Sequence, residues 1–161
     1  MKKSVYIETS IPSYLTARPS RDVRAAAWRQ ITTEWWDTAR QDYEIFTSEL
    51  TILEASAGNQ EAAEKRLSVL REIPELKIDE EVQELAELLI FKGGIPASAE
   101  ADALHVAVAT LHRIDYLLTW NCRHIDNAAK KPLIRSICTG AGYPYPEICT
   151  PMELLPEKED V

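Results

Sequence analysis

The chain has no basic excess, no paired cysteines and no long apolar run. Its 18 Lys and Arg residues are outnumbered by 26 Asp and Glu, a formal net charge of -8. A domain that grips nucleic acid through bulk positive charge carries the opposite balance, so that mode of binding is excluded. Only three cysteines occur, Cys122, Cys138 and Cys149, with no CxxC pair. This excludes a disulfide framework or a zinc finger and reads as reduced, buried thiols in a cytoplasmic protein. The apolar stretch after Lys2 and Lys3 is only Val5-Tyr6-Ile7 before Glu8 interrupts it. A signal-peptide core needs roughly 7–15 such residues. No run of transmembrane length is present, so no membrane partner is expected. Internal repeats, low-complexity tracts and linkers are likewise absent.

What is present is 161 residues, 45% hydrophobic and 27% charged, an ordinary globular composition. One domain is expected over residues 1–156, with a frayed tail at 157–161. Strand signals fall at 5–7, 44–47, 76–78, 116–119 and 147–149, rich in β-formers. Helical patterns lie between them, at 21–41, 48–57, 59–72, 79–92, 99–113 and, weakly, 126–136. Ser48, Asn59 and Asp79 are candidate N-caps, Pro96-Ala97-Ser98 sets up the fifth of these helices, and Gly58 and Gly93-Gly94 are stops. In the first helix Val23, Ala27, Ile31 and Trp35 recur at i+4. Trp28, Trp35 and Trp36 beside them read as a packed face rather than a base-stacking platform. Alternating strands and helices imply an α/β domain with a mainly parallel sheet.

In such sheets ligands bind outside the carboxyl ends of the strands. Two polar clusters fall there: Glu8-Thr9-Ser10 after the first strand, and Thr119-Trp120-Asn121 after the fourth. Helical spacing places Glu54 on a stripe with Leu50, Leu53 and Ala57, and Asp102 among Ala99, Ala103, Val106 and Ala109. A carboxylate on an apolar face needs a basic partner, a proton or a metal ion. Glu54 taken singly suits an internal salt bridge, and Asp102 a first-turn charge favoured by the helix dipole. Three acids aimed at one sheet end repel one another unless a cation lies between them. Oxygen-only ligands suit Mg²⁺ or Mn²⁺ rather than zinc, and such a site implies phosphoryl chemistry.

The order of these motifs resembles the PIN-domain family, and within it the VapC-like toxins of toxin–antitoxin systems. Tyr6-Ile7-Glu8-Thr9-Ser10 is similar to the opening strand with its acid. Ser48-Glu49-Leu50-Thr51-Ile52-Leu53-Glu54 and Ala101-Asp102-Ala103-Leu104-His105-Val106-Ala107 are similar to the helices carrying the second and third acids. Thr119-Trp120-Asn121-Cys122-Arg123-His124-Ile125 is similar to the terminal strand-end motif. The resemblance implies a three-layer α/β/α sandwich and a metal-dependent endoribonuclease. Glu8, Glu54 and Asp102 would hold Mg²⁺ or Mn²⁺, with Asn121 orienting a water or a ligand. Thr9, Ser10 and Thr119 would support the site, and Asp126 is a further candidate beside its simpler role at a helix start. RNA is the implied substrate, with a small antitoxin protein and a second copy of the chain, as a homodimer, the implied partners.

This sequence departs from the family pattern twice: Glu8 stands where Asp is usual, and His124 where Asp is often found. The departures motivate an alternative, a degenerate PIN-like domain that binds RNA or a protein without cutting. A third reading is a small phosphatase or nucleotide-processing enzyme built on the same metal logic. His105 reads as a partly buried structural histidine, with a general-acid role as the alternative. His124 reads as a loop residue and His112 as a surface one. The acidic balance then restricts RNA to an approach through the metal and a basic rim, with Arg18, Arg21, Arg24 and Arg29 on one side and Lys130, Lys131 and Arg135 on another.

Overall fold

Val5, Tyr6 and Ile7 have no accessible surface, because the strand that carries them is covered on both faces. That strand is β1 (Lys3–Ile7), the middle of a five-stranded parallel sheet in the computed structural model, which describes residues 1–158. The other strands are β2 (Tyr43–Ser48), β3 (Glu75–Leu76), β4 (Tyr116–Leu118) and β5 (Glu147–Cys149), in the order β3-β2-β1-β4-β5. Val5 pairs with Ile45 of β2 and Tyr116 of β4, and Ile7 pairs with Leu118. Successive side chains point to opposite faces. Val5, Ile7 and Leu118 therefore join one core, and Tyr6, Leu117 and Ile148 join the other.

The helices α1 (Ser10–Leu15), α2 (Val23–Thr38), α3 (Glu49–Ala55) and α4 (Gln60–Leu70) belong to the connections from β1 to β2 to β3. They supply Ile11, Trp35, Ala55 and Leu70 to the first core. The second core takes Leu89 from α5 (Glu80–Phe91), Val106 from α6 (Glu100–Leu111) and Ile134 from α7 (Lys131–Gly140). The result is a three-layer α/β/α sandwich. The chain winds outward from β1 to β3, then crosses back to β4 on the far side of β1. The carboxyl ends of β1 and β4 thus flank a topological switch point.

The expected caps form. Ser48 Oγ accepts from Thr51 N–H (3.4 Å), Asn59 Oδ1 from Ala62 N–H (3.1 Å) and Asp79 Oδ1 from Val82 N–H (3.1 Å). Each such cap contributes about 1 kcal/mol. Gly58, at φ 82°, takes the left-handed turn between α3 and α4 that other residues adopt only under strain. At Gly94 a Cβ would meet Ile137 Cδ1 at 2.9 Å, so the glycine lets α5 and α7 approach.

Several expectations are corrected. Val23 is 84% exposed and Ala27 is exposed too, so the inner face of α2 is Trp28, Thr32 and Trp35, with Ala39 just past its end. On α3 the buried residues are Thr51 and Ala55, while Leu53 is 68% exposed. Glu54 therefore does not lie on a buried Leu50–Leu53–Ala57 stripe. The helix expected from residue 99 begins at Glu100, after a 3-10 turn (Ala97–Ala99) and without a side-chain cap. The helix expected from residue 126 begins only at Lys131, because the segment before it is occupied by turns. The third strand has just two residues, Glu75–Leu76. Cys122 is exposed, unlike Cys138 and Cys149, and all three are free thiols. Residues 157 and 158 carry no regular structure, and the rest of the expected frayed tail lies outside the described residues.

Candidate active site

Glu8 follows β1 directly. It is 5% exposed. Its Oε1 accepts from Ser10 N–H (3.0 Å), from the Ser10 hydroxyl and from Thr119 Oγ1 (2.9 Å). Ser10 in turn is fixed by Trp120 N–H, which donates to its Oγ (2.8 Å). Thr119, just past β4, thus clamps Glu8, just past β1, across 111 positions of sequence, while Trp120 holds Ser10. Burial pushes the Glu8 carboxyl up from its ordinary 4.5 to about 7, against the opposing pull of the His105 charge and the Thr119 and Ser10 hydrogen bonds. The nearby Glu54 carboxylate adds to the rise.

Glu54 comes from α3 and is half-buried. Its Oε1 accepts from Thr9 Oγ1 (2.7 Å) and from His105 Nε2 (2.5 Å). Burial pushes this carboxyl up, but the His105 hydrogen bond and charge, with Thr9, outweigh it and hold it below the usual range. His105 is itself 1% exposed, and its Nδ1 lies 2.7 Å from the Tyr6 hydroxyl. The Tyr6 oxygen also contacts Ser48 Oγ (2.8 Å) and Thr51 Oγ1 (3.2 Å). Burial raises the Tyr6 phenol well above its ordinary value, so it stays protonated.

The structure thus brings together Glu8, Thr9, Ser10, Glu54 and Thr119. Asp102 sits half-buried in the first turn of α6, one turn before His105, and makes no side-chain hydrogen bond or ion pair among the described residues. Asn121 adjoins the cluster through its N–H, which donates to Thr119 Oγ1 (2.8 Å). Its Oδ1 accepts from His124 N–H (3.0 Å) and so braces its own loop. Asp126 neither caps a helix nor joins the cluster; its Oδ1 lies 2.6 Å from Lys131 Nζ. His124 has a buried Nδ1 without a partner among the described residues, and His112 is exposed with Nε2 on the Lys77 carbonyl (2.7 Å). Arg18, Arg21 and Arg24 are exposed, whereas Arg29 is tied to the Ala17 carbonyl (2.7 Å).

The donor set fits a hard divalent cation in chemistry. Glu8 and Glu54 are each held by Oε1 alone, and Oε2 of each accepts no hydrogen bond among the described residues. Two oxygen ligands with water and phosphate oxygens suit Mg²⁺ or Mn²⁺. Among the described residues, no group of three His, Cys, Asp or Glu side chains is gathered for a metal.

Fold and site together define a doubly wound α/β domain with acidic residues gathered at its switch point. The chain belongs to the PIN domain family, whose match spans residues 5–131. PIN domains are in general nucleases, typically metal-dependent hydrolases, and nucleic acid is their substrate. No curated protein matches the chain. Among the described residues no helix is long and apolar enough to cross a membrane.

Sequence reasoning passed over Tyr6 and took His105 for a partly buried structural residue. Its one available signal was position: His105 lies three residues after Asp102, on the same helix face.

Proposed function

We propose that this chain is an endoribonuclease that works with Mg²⁺ or Mn²⁺. The observation that carries the reading is the pair Glu8 and Glu54, neighbouring carboxylates at the switch point that each keep one oxygen unengaged. Glu8, Glu54 and Asp102 would hold the ion. When bound, the ion activates water and neutralises charge on the leaving oxygen of a phosphodiester. Thr119, Ser10 and Thr9 keep the two carboxylates from rotating, which holds their second oxygens in place. Asn121 and His124 brace the loop beside them. The exposed Arg18, Arg21 and Arg24 offer an approach for the RNA backbone that the acidic surface elsewhere does not.

Calorimetry of Mn²⁺ binding and cleavage of varied RNAs, by wild type and Asp102→Asn, test the reading together. Wild type is expected to bind Mn²⁺ and cut, and the variant to do neither while melting as wild type does. Cleavage that survives both exhaustive chelation and the substitution overturns it. That no three-residue cluster is gathered among the described residues favours the second reading, a PIN-like domain that binds RNA or protein without cutting. That reading gains if no RNA is cut with any divalent ion while partner binding is measurable. A role as the toxin of a toxin–antitoxin pair, with a small antitoxin and a homodimeric state, rests on the family resemblance. Light scattering showing only monomer at high concentration removes the dimer.

A further inference from the structure

The hydrogen bonds on Glu54 all fall on one oxygen, and the side chain that makes the shorter of them is itself held from behind. A carboxylate only accepts hydrogen bonds, so an imidazole nitrogen 2.5 Å from Glu54 Oε1 carries the hydrogen. In the neutral ring this leaves Nδ1 as the acceptor, and the Tyr6 hydroxyl, 2.7 Å away, is the donor that meets it. Ser48 and Thr51 hydroxyls surround the phenol oxygen and fix it in turn. Tyr6 lies on the central strand and His105 on α6, so the ring cannot turn without disturbing the core.

We propose that Tyr6 and His105 form a positioning relay, in which Tyr6 locks His105 in the Nε2–H tautomer and His105 grips Glu54 by Oε1, leaving Oε2 as the oxygen offered to a divalent cation. The relay's purpose rests on the metal-dependent reading above. Its geometry is a property of the metal-free chain. Outer residues that orient a metal ligand typically change affinity 10–100-fold when removed, which is the size of effect at stake here, roughly.

Two measurements test it. Imidazole ¹⁵N shifts of the metal-free protein are expected to show Nε2–H alone at His105, and a measurable share of the Nδ1–H tautomer in Tyr6→Phe, where Glu54 alone favours Nε2–H. Mn²⁺ affinity by calorimetry is expected to fall roughly 10–100-fold in His105→Asn, whose amide meets Tyr6 but stops short of Glu54. His105→Gln, whose amide reaches further, should recover most of the loss. Tyr6→Phe should bind several-fold more weakly than wild type, and it keeps the ring, so it guards against misfolding of the histidine variants. An Nδ1–H tautomer in wild type, or unchanged Mn²⁺ affinity in both His105→Asn and Tyr6→Phe, overturns the relay and leaves the metal-dependent reading standing. Wild-type protein that binds no Mn²⁺ overturns that reading, and the relay's role with it.

Discussion

The end of β1 and the face of α3 hold carboxylates of one chemistry in two opposite states. At the strand end, Glu8 is shut away from water and offered only hydroxyl and amide donors, so burial dominates and its carboxyl rises to about 7. On α3, Glu54 is about one-third exposed and faces an imidazole, so its carboxyl falls below the usual range. Neighbouring carboxyls driven apart in this way can take different roles: at neutral pH Glu54 is a fixed negative charge, while Glu8 exchanges its proton. Hydrogen bonds do not offset full burial of Glu8 at the strand end; on the helix they do so for Glu54, which keeps about a third of its side chain in water.

The largest expected effect removes either side of the contrast. On the proposed metal-dependent reading, Glu8→Gln and Glu54→Gln should each lower RNA cleavage at least about a hundredfold, because losing a ligand of the proposed ion would forfeit several kcal/mol of charge stabilisation. Single-turnover assays at saturating Mn²⁺ measure this, and a variant that cuts within tenfold of wild type would remove that residue from the site.

The same two substitutions should pull stability in opposite directions. A carboxyl raised from 4.5 to about 7 favours the fold below pH 4.5 and loses that benefit as pH climbs to 7. Ionised Glu8 therefore costs the metal-free protein about 3 kcal/mol above pH 7. Glu8→Gln should stabilise it by up to that amount at pH 8 and by nothing near pH 4. Glu54, with its lowered carboxyl, contributes stability above its ordinary value and loses it on acidification, so Glu54→Gln should destabilise at pH 8. Urea titrations across pH 4–8 give both signs, and a Glu8→Gln curve parallel to wild type at every pH breaks the contrast.

A smaller change sharpens it. Thr119→Val deletes one donor from Glu8 and should cost about 1 kcal/mol while raising the Glu8 carboxyl further, read from its carboxyl ¹³C titration. The smallest effect is expected far from the contrast: Asp126→Asn weakens the partly buried pair with Lys131 and should cost about 1 kcal/mol or less in urea unfolding.

Much of the frame was legible in the sequence because local rules sufficed. Val5-Tyr6-Ile7 and Tyr116-Leu117-Leu118 are short β-forming runs between polar ends, and Asn59 and Asp79 announce their helices by side-chain chemistry. Where the reading slipped, the packing around a residue decided, not its local pattern. Asp126 resembles a helix cap, but Lys131 takes its carboxylate. Val23 fits an i+4 stripe, yet it lies at the first position of α2 and remains exposed. Glu8 and Glu54 could be named as candidates from strand-end placement and motif order. Their opposite states could not, because these depend on Thr119 and His105, which no local pattern connects to them. Tyr6 was hidden for a related reason: as one of three consecutive buried residues it looks like filler, and only its tip, meeting His105, distinguishes it.

The sheet order also sets a timetable for synthesis. β1 is made first, but β4 pairs beside it only after more than a hundred further residues have been joined. Until then the growing chain has an open edge at its centre, the kind of strand edge that invites pairing with another chain. Over that interval Glu8 lacks Thr119 and Glu54 lacks His105. The carboxylate cluster at the switch point is therefore assembled only after Thr119 has been joined, well after the acids it gathers.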